Sequence, residues 1–148
     1  MSGSGDTNAQ LYTLDGSMDA TELGLIGAGM GAVDHQVGAV LDMDGDGHGD
    51  AIVAWPGPSG DSQGNVWRVP FSGLTPRPAV LLNPCTGPCR QGWAISAGAD
   101  YNGDGFGDAA VSYHVADGVS VYLGRTGGGP TEVRLSNPGG LTDFGTAL

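Results

Sequence analysis

Asp42-Met43-Asp44-Gly45-Asp46-Gly47-His48-Gly49-Asp50 returns as Asp100-Tyr101-Asn102-Gly103-Asp104-Gly105-Phe106-Gly107-Asp108, 58 residues further on (100 − 42). Oxygen-bearing side chains stand at positions 1, 3, 5 and 9 of each nine-residue segment, with glycines between them. Seven of the chain's sixteen acidic residues lie in these two segments. A hard cation such as Ca²⁺ takes about six to eight oxygen ligands, and one short segment supplies them only by curling tightly. Gly47 and Gly105 at position 6 permit that curl. At position 7 the backbone carbonyl would be the ligand, which leaves the side chain free to be His48 or Phe106. Without a cation, the clustered carboxylates of each loop repel one another. A single copy also reads as a solvated Asp-Gly turn. Two copies in matching contexts favour two Ca²⁺ sites: Asp42, Asp44, Asp46, His48 and Asp50, then Asp100, Asn102, Asp104, Phe106 and Asp108.

These are not EF-hand loops. That pattern needs a bidentate Glu at position 12 and flanking helices. Position 12 is Val53 or Val111, and each loop runs into a β-branched, aromatic stretch: Ala51-Ile52-Val53-Ala54-Trp55, or Ala109-Ala110-Val111-Ser112-Tyr113. Such stretches predict strands. Asp50 and Asp108 therefore act as the closing ligands.

The loops sit inside a longer repeat. Val37–Leu41 and Gln91–Ala99 lead into them. After each loop come one strand, then a second (Asn65–Val69; Val119–Leu123), then a third (Ala79–Leu82; Thr131–Leu135). Each unit is four short strands, A to D, with the acidic loop joining A to B. Gln10–Gly16 and Thr21–Ile26 match strands C and D of the last unit. Phe144-Gly145-Thr146-Ala147-Leu148 matches the start of Gln91–Ala99, with Gly145 aligned on Gly92. The predicted organisation is a leader (1–9), a partial blade (10–28), two full blades (29–90 and 91–140) and the first strand of another (141–148). Repeated four-stranded antiparallel meanders predict an all-β fold of β-propeller blades, about two and a half in this chain. A β-sandwich is the alternative, but it does not require near-identical loops at a fixed period.

At 148 residues the chain can bury one substantial core. It carries no lysine, five arginines and a net charge of −11, which argues against nucleic acid or anionic membrane as partners. No apolar run approaches the roughly 18 residues that span a bilayer, so membrane insertion is not expected. Met1-Ser2-Gly3-Ser4-Gly5 has no signal-peptide character. Ca²⁺ loops suit an extracellular, cell-surface or periplasmic location, where Cys85 and Cys89 could close a small disulfide ring around Thr86-Gly87-Pro88. Two free thiols are the other reading.

A Phe-Gly opening, then D-x-[DN]-G-D-G-x-x-D, then a short apolar strand resembles the FG-GAP (VCBS-type) repeat of integrin α-subunit propellers. The acidic loop matches closely, whereas the Phe-Gly opening is intact only at Phe144-Gly145, with Gln91-Gly92 departing from it. The resemblance implies that both loops bind Ca²⁺ through the ligands named above. It also implies propellers of about seven blades, so this chain would be completed by its own copies in a homo-oligomeric ring or by the blades of a larger parent protein.

The implied function is a non-enzymatic, Ca²⁺-stabilised module for recognition or adhesion, with a protein or glycan ligand. Trp93, near the inter-blade groove, could stack on a sugar ring, although packing is the commoner role for such a residue. A purely structural, self-assembling propeller fragment is one alternative. A part of a secreted hydrolase or lyase is another. For catalysis the chain offers neither G-x-S-x-G nor H-E-x-x-H, nor any lysine, so it is read as not an enzyme.

Overall fold

A computed structural model of the chain describes residues 9–14 and 20–26 as backbone, and 36–56, 64–82, 91–113, 118–139, 144–145 and 148 in full. β1 (Ala9–Leu14) and β2 (Ala20–Ile26) form an antiparallel pair with a register shift between Leu11 and Tyr12. The next sheet contains β3 (Gln36–Val40), β4 (Asp50–Trp55), β5 (Asn65–Val69) and β8 (Val80–Leu81). Between β5 and β8 lies a short hairpin of β6 (Phe71–Ser72) and β7 (Thr75–Pro76). The last sheet contains β9 (Gln91–Ala99), β10 (Asp108–Tyr113), β11 (Gly118–Leu123) and β12 (Thr131–Ser136), again in chain order. All pairings are antiparallel, and no helix occurs among the described residues.

The two four-stranded sheets are therefore two copies of one meander, with the acidic loops joining β3 to β4 and β9 to β10. β4 and β10 are the strands buried on both faces, which is why they read as nearly continuous apolar runs. On β12 the apolar Val133 and Leu135 are exposed, whereas Glu132, on the other face, is partly covered.

The main core lies between the sheets. Val40, Met43, Ile52, Ala54, Val66 and Leu82 of the first copy meet Ala109, Val111 and Tyr122 of the second. Burying each Val or Ile contributes on the order of 1.5–3 kcal/mol relative to exposure. Ala51, Val53, Val69 and Phe71 form a separate cluster on the opposite face of the first sheet. Because Ala51 and Ala109 each follow a closing aspartate, they are equivalent residues. Ala109 faces the inter-sheet core, but Ala51 faces away from it. The front of one copy thus lies on the back of the next, a stacking that continues in series rather than closing as a symmetric pair.

The alignment of Gly145 on Gly92 is reproduced in space. A Cβ on Gly92 would lie 2.7 Å from that of Ala54, and one on Gly145 would lie 3.3 Å from that of Ser112. Ala54 and Ser112 are themselves equivalent, each four residues after its closing aspartate. Both glycines have positive φ, at 102° and 78°. Phe144 and Gly145 form a turn rather than a strand.

Two features differ from expectation. The third strand of the first copy shrinks to Val80–Leu81, and the β6–β7 hairpin precedes it. The hairpin turns at Gly73 (φ 62°), without the Asn-Gly or Asp-Gly dipeptide that announces such turns in a sequence. Cys85 and Cys89 lie outside the described residues.

Candidate metal centre

Each acidic loop is curled around its first aspartate. Asp42 Oδ1 accepts the N–H groups of Gly45 (2.6 Å) and Asp46 (3.1 Å), and Oδ2 accepts that of Gly47 (2.7 Å). Asp100 repeats the arrangement with Gly103 (2.7 Å), Asp104 (3.1 Å) and Gly105 (2.8 Å). The position-7 amides donate back to position 5 in both copies, His48 to Asp46 Oδ1 and Phe106 to Asp104 Oδ1, each at 2.9 Å. Positive φ at positions 4 and 6 in both loops makes this wrap possible. The backbone donors hold the carboxyl of Asp100 below its ordinary range, Gly105 most strongly.

In the first loop Asp42, Asp44 and Asp50 each bring an oxygen within 4.8 Å of the others. Asp46 and His48 sit exposed at the rim. Asp50 is the deep member, 4% exposed. The Met43 N–H donates to its Oδ2 at 2.9 Å. Asp50 Oδ1 and Asp44 Oδ1 are buried without a hydrogen-bond partner among the described residues. Burial, above all, pushes the Asp50 carboxyl up to about 6, against the pull of the Met43 amide and the Arg68 guanidinium. An all-oxygen cluster with buried, unpartnered carboxylate atoms fits a hard divalent cation.

Arg68 on β5 already brings positive charge into this cluster. Its Nη1 lies 2.8 Å from Asp44 Oδ2 and 3.7 Å from Asp50 Oδ2, and its side chain is 9% exposed. More peripherally, Arg77 approaches Asp46 at 3.8 Å.

The second loop has the same backbone but different satisfaction. Asp108, fully buried, accepts Tyr101 N–H on Oδ2 (2.7 Å) and Gly124 N–H on Oδ1 (2.9 Å). Asn102 stands where Asp44 stands. Its Nδ2 donates to Asp104 Oδ2 (2.9 Å), and its Oδ1 accepts the Asp104 N–H (3.0 Å). The position of Arg68, opposite Ile52, is taken by Val121, opposite Ala110. Among the described residues no arginine is paired with Asp100, Asp104 or Asp108.

The loops also touch each other. Gly107 N–H donates to the Asp42 carbonyl (2.8 Å), Arg125 N–H to that of Met43 (2.9 Å) and Gly127 N–H to that of Asp44 (3.3 Å). The turn from Gly124 to Gly127 therefore links Asp108 to the first loop.

Trp93 lies on β9, away from these loops in sequence, and is 41% exposed. Gln91 stands where a Phe-Gly opening would have its aromatic residue. It is fully buried, and its Nε2 donates to the Tyr122 hydroxyl (2.6 Å) and the Tyr113 hydroxyl (3.3 Å). Tyr113 in turn contacts Ser120 and donates to Glu132 Oε1 (3.0 Å), which also accepts Arg134 Nε (2.8 Å). An aromatic ring here would leave the two hydroxyls without that amide. Arg68 and this network were missed from sequence. The one available signal for Arg68 was a rare arginine inside an apolar strand.

No family model matches the chain. It is similar to integrin alpha-IIb of Mus musculus, 34% identical over 84 residues that make up 55% of this chain and 8% of that protein. The chain thus spans a small fraction of that relative's length. No helix among the described residues is long and apolar enough to cross a membrane.

Proposed function

We propose that this chain is part of an extracellular recognition or adhesion protein, built of FG-GAP-type β-propeller blades whose A–B loops are held by Ca²⁺. The observation that carries the reading is the duplicated loop. Two segments wrap around their first aspartates with the same set of backbone hydrogen bonds, and in the first the carboxylates converge beside buried, unpartnered oxygens. Ca²⁺ would be held by Asp42, Asp44, Asp46, Asp50 and the His48 carbonyl, and by Asp100, Asn102, Asp104, Asp108 and the Phe106 carbonyl. Once bound, it cross-links each loop and offsets its charge. The chain's own residues set the loop shape and anchor it to the inter-sheet core. Front-to-back stacking of the two sheets supports blades over a sandwich, and the likeness to integrin alpha-IIb supports an adhesive, extracellular setting. We read the module as non-enzymatic. Calorimetric titration with Ca²⁺ tests the core of the proposal. Two sites per chain are expected, with Asp46→Ala and Asp104→Ala each removing one; absence of binding refutes it.

A second reading, assembly, rests on the outer face of the last sheet. Val133 and Leu135 there are 42% and 48% exposed, on the side where a further blade would stack. That blade would come from another copy in a homo-oligomeric ring or from the rest of a larger propeller. Native mass spectrometry separates the two: a closed oligomer supports the ring, and a monomer supports the larger propeller.

A further inference from the structure

We propose that Arg68 is a tethered counter-cation of the first loop: its guanidinium holds Asp44 and Asp50 together when no metal is bound, and Ca²⁺ must displace it to bind. This rests on the Ca²⁺ reading of the loops given above and adds a regulating residue to one of them.

Three observations lead here. Arg68 Nη1 sits 2.8 Å from Asp44 and 3.7 Å from Asp50, two of the three residues whose oxygens converge. Its Nε and Nη1 are buried without an aligned hydrogen bond among the described residues, so these two nitrogens meet the carboxylates as charge rather than as a hydrogen-bonding fork. The equivalent position in the second copy is Val121, facing a loop in which Asn102 has replaced the corresponding aspartate. The arginine and its aspartate are present together in one copy and absent together from the other.

Charge arithmetic gives the consequence. Four aspartates in the first loop would repel one another, and a guanidinium among them offsets part of that repulsion. The loop therefore keeps its shape without metal. A divalent ion entering the same space meets a like charge at close range, so its binding is weakened by the residue that preserves the site. Among the described residues the second loop has no such resident cation. It is held instead by the amides that bond both oxygens of Asp108.

Two measurements on the full chain test this. In the first, Ca²⁺ is titrated calorimetrically into Asp104→Ala protein, which retains the first site alone, with and without Arg68→Met. The variant should bind roughly tenfold more tightly, as expected for removing one nearby charge from a carboxylate site. Equal or weaker binding overturns the displacement. In the second, Asp44→Asn is melted in chelator. For a mere metal ligand, removing one of four mutually repelling carboxylates should raise or leave unchanged the metal-free melting temperature. For the partner of a buried guanidinium it should lower it, because the charge left behind is uncompensated. A raised or unchanged melting temperature overturns the counter-cation role and does not depend on how Arg68→Met folds. Wild-type protein that binds no Ca²⁺ at either loop overturns the reading beneath the proposal, and with it the displacement. Two intact wild-type sites without tightening in Arg68→Met overturn the displacement alone.

Discussion

The backbone N–H of Gly107 donates a 2.8 Å hydrogen bond to the carbonyl oxygen of Asp42. The residue before the closing aspartate of the second loop is thus bonded to the opening aspartate of the first. Asp108 itself bonds Gly124, which begins the turn whose amides reach Met43 and Asp44. The two loops share a backbone frame across the sheet–sheet interface.

Ion binding at the two loops should therefore be coupled through Asp108. Asp108→Ala is expected to abolish the second site and also weaken the first by about fivefold or more, at the low end of ordinary coupling energies. Among the described residues Asp104 bonds only within its own loop, so Asp104→Ala should leave the first site nearly intact. Equal first-site constants in both variants, measured by calorimetry, would remove the coupling.

Gly92 is one of the points of closest approach between the two sheets. With φ at 102° and a Cβ position 2.7 Å from that of Ala54, Gly92→Ala must both strain the backbone and push the sheets apart. The expected cost is about 2–4 kcal/mol. Urea unfolding that gives a midpoint equal to wild type would show that the sheets do not meet there.

Gln91→Ala should cost about 1–3 kcal/mol, because it deprives the buried Tyr122 hydroxyl of the amide that now donates to it. Gln91→Ala/Tyr122→Phe should recover part of that loss, since the unpartnered group is then gone. If the double variant is no more stable than Gln91→Ala, the hydrogen bond does not account for the loss of stability.

Much of the fold was legible because it is written in local patterns. The acidic loops, the runs of Ile52-Val53 and Val119-Ser120-Val121, and the Gly92/Gly145 correspondence all follow from spacing. Long-range choices were not legible. Nothing local to Arg68 reveals that β5 aims it at Asp44, since that depends on the register pairing Ile52 with Arg68. Gln91-Gly92 departs from a Phe-Gly pair, and nothing local to it shows that two tyrosine hydroxyls lie beside the Gln91 amide. The β6–β7 hairpin turns on a single glycine, which is too weak a signal to read in advance.

Alkaline pH should destabilise the fold through Tyr113 and Tyr122. Burial, first of all, pushes both phenols above their ordinary value. In the unfolded chain they ionise near pH 10, whereas in the fold they keep their protons beyond that. Their contribution is therefore fully present below about pH 10 and is lost as pH rises through the folded values. Wild-type melting temperature should fall over that range, and Tyr122→Phe should show a shallower fall. Parallel curves for the two proteins would assign the alkaline loss to other groups.

Thermal melting of the full chain in Ca²⁺ and in chelator tests the central claim most directly. An ion that binds only the folded state adds about 2.7 kcal/mol per site at a hundred times its dissociation constant. Two occupied loops should raise the melting temperature by many degrees over the chelated protein, and excess Ca²⁺ should restore a chelated sample. Superimposable melting curves in Ca²⁺ and in chelator would contradict the assignment of these loops as Ca²⁺ sites that stabilise the fold.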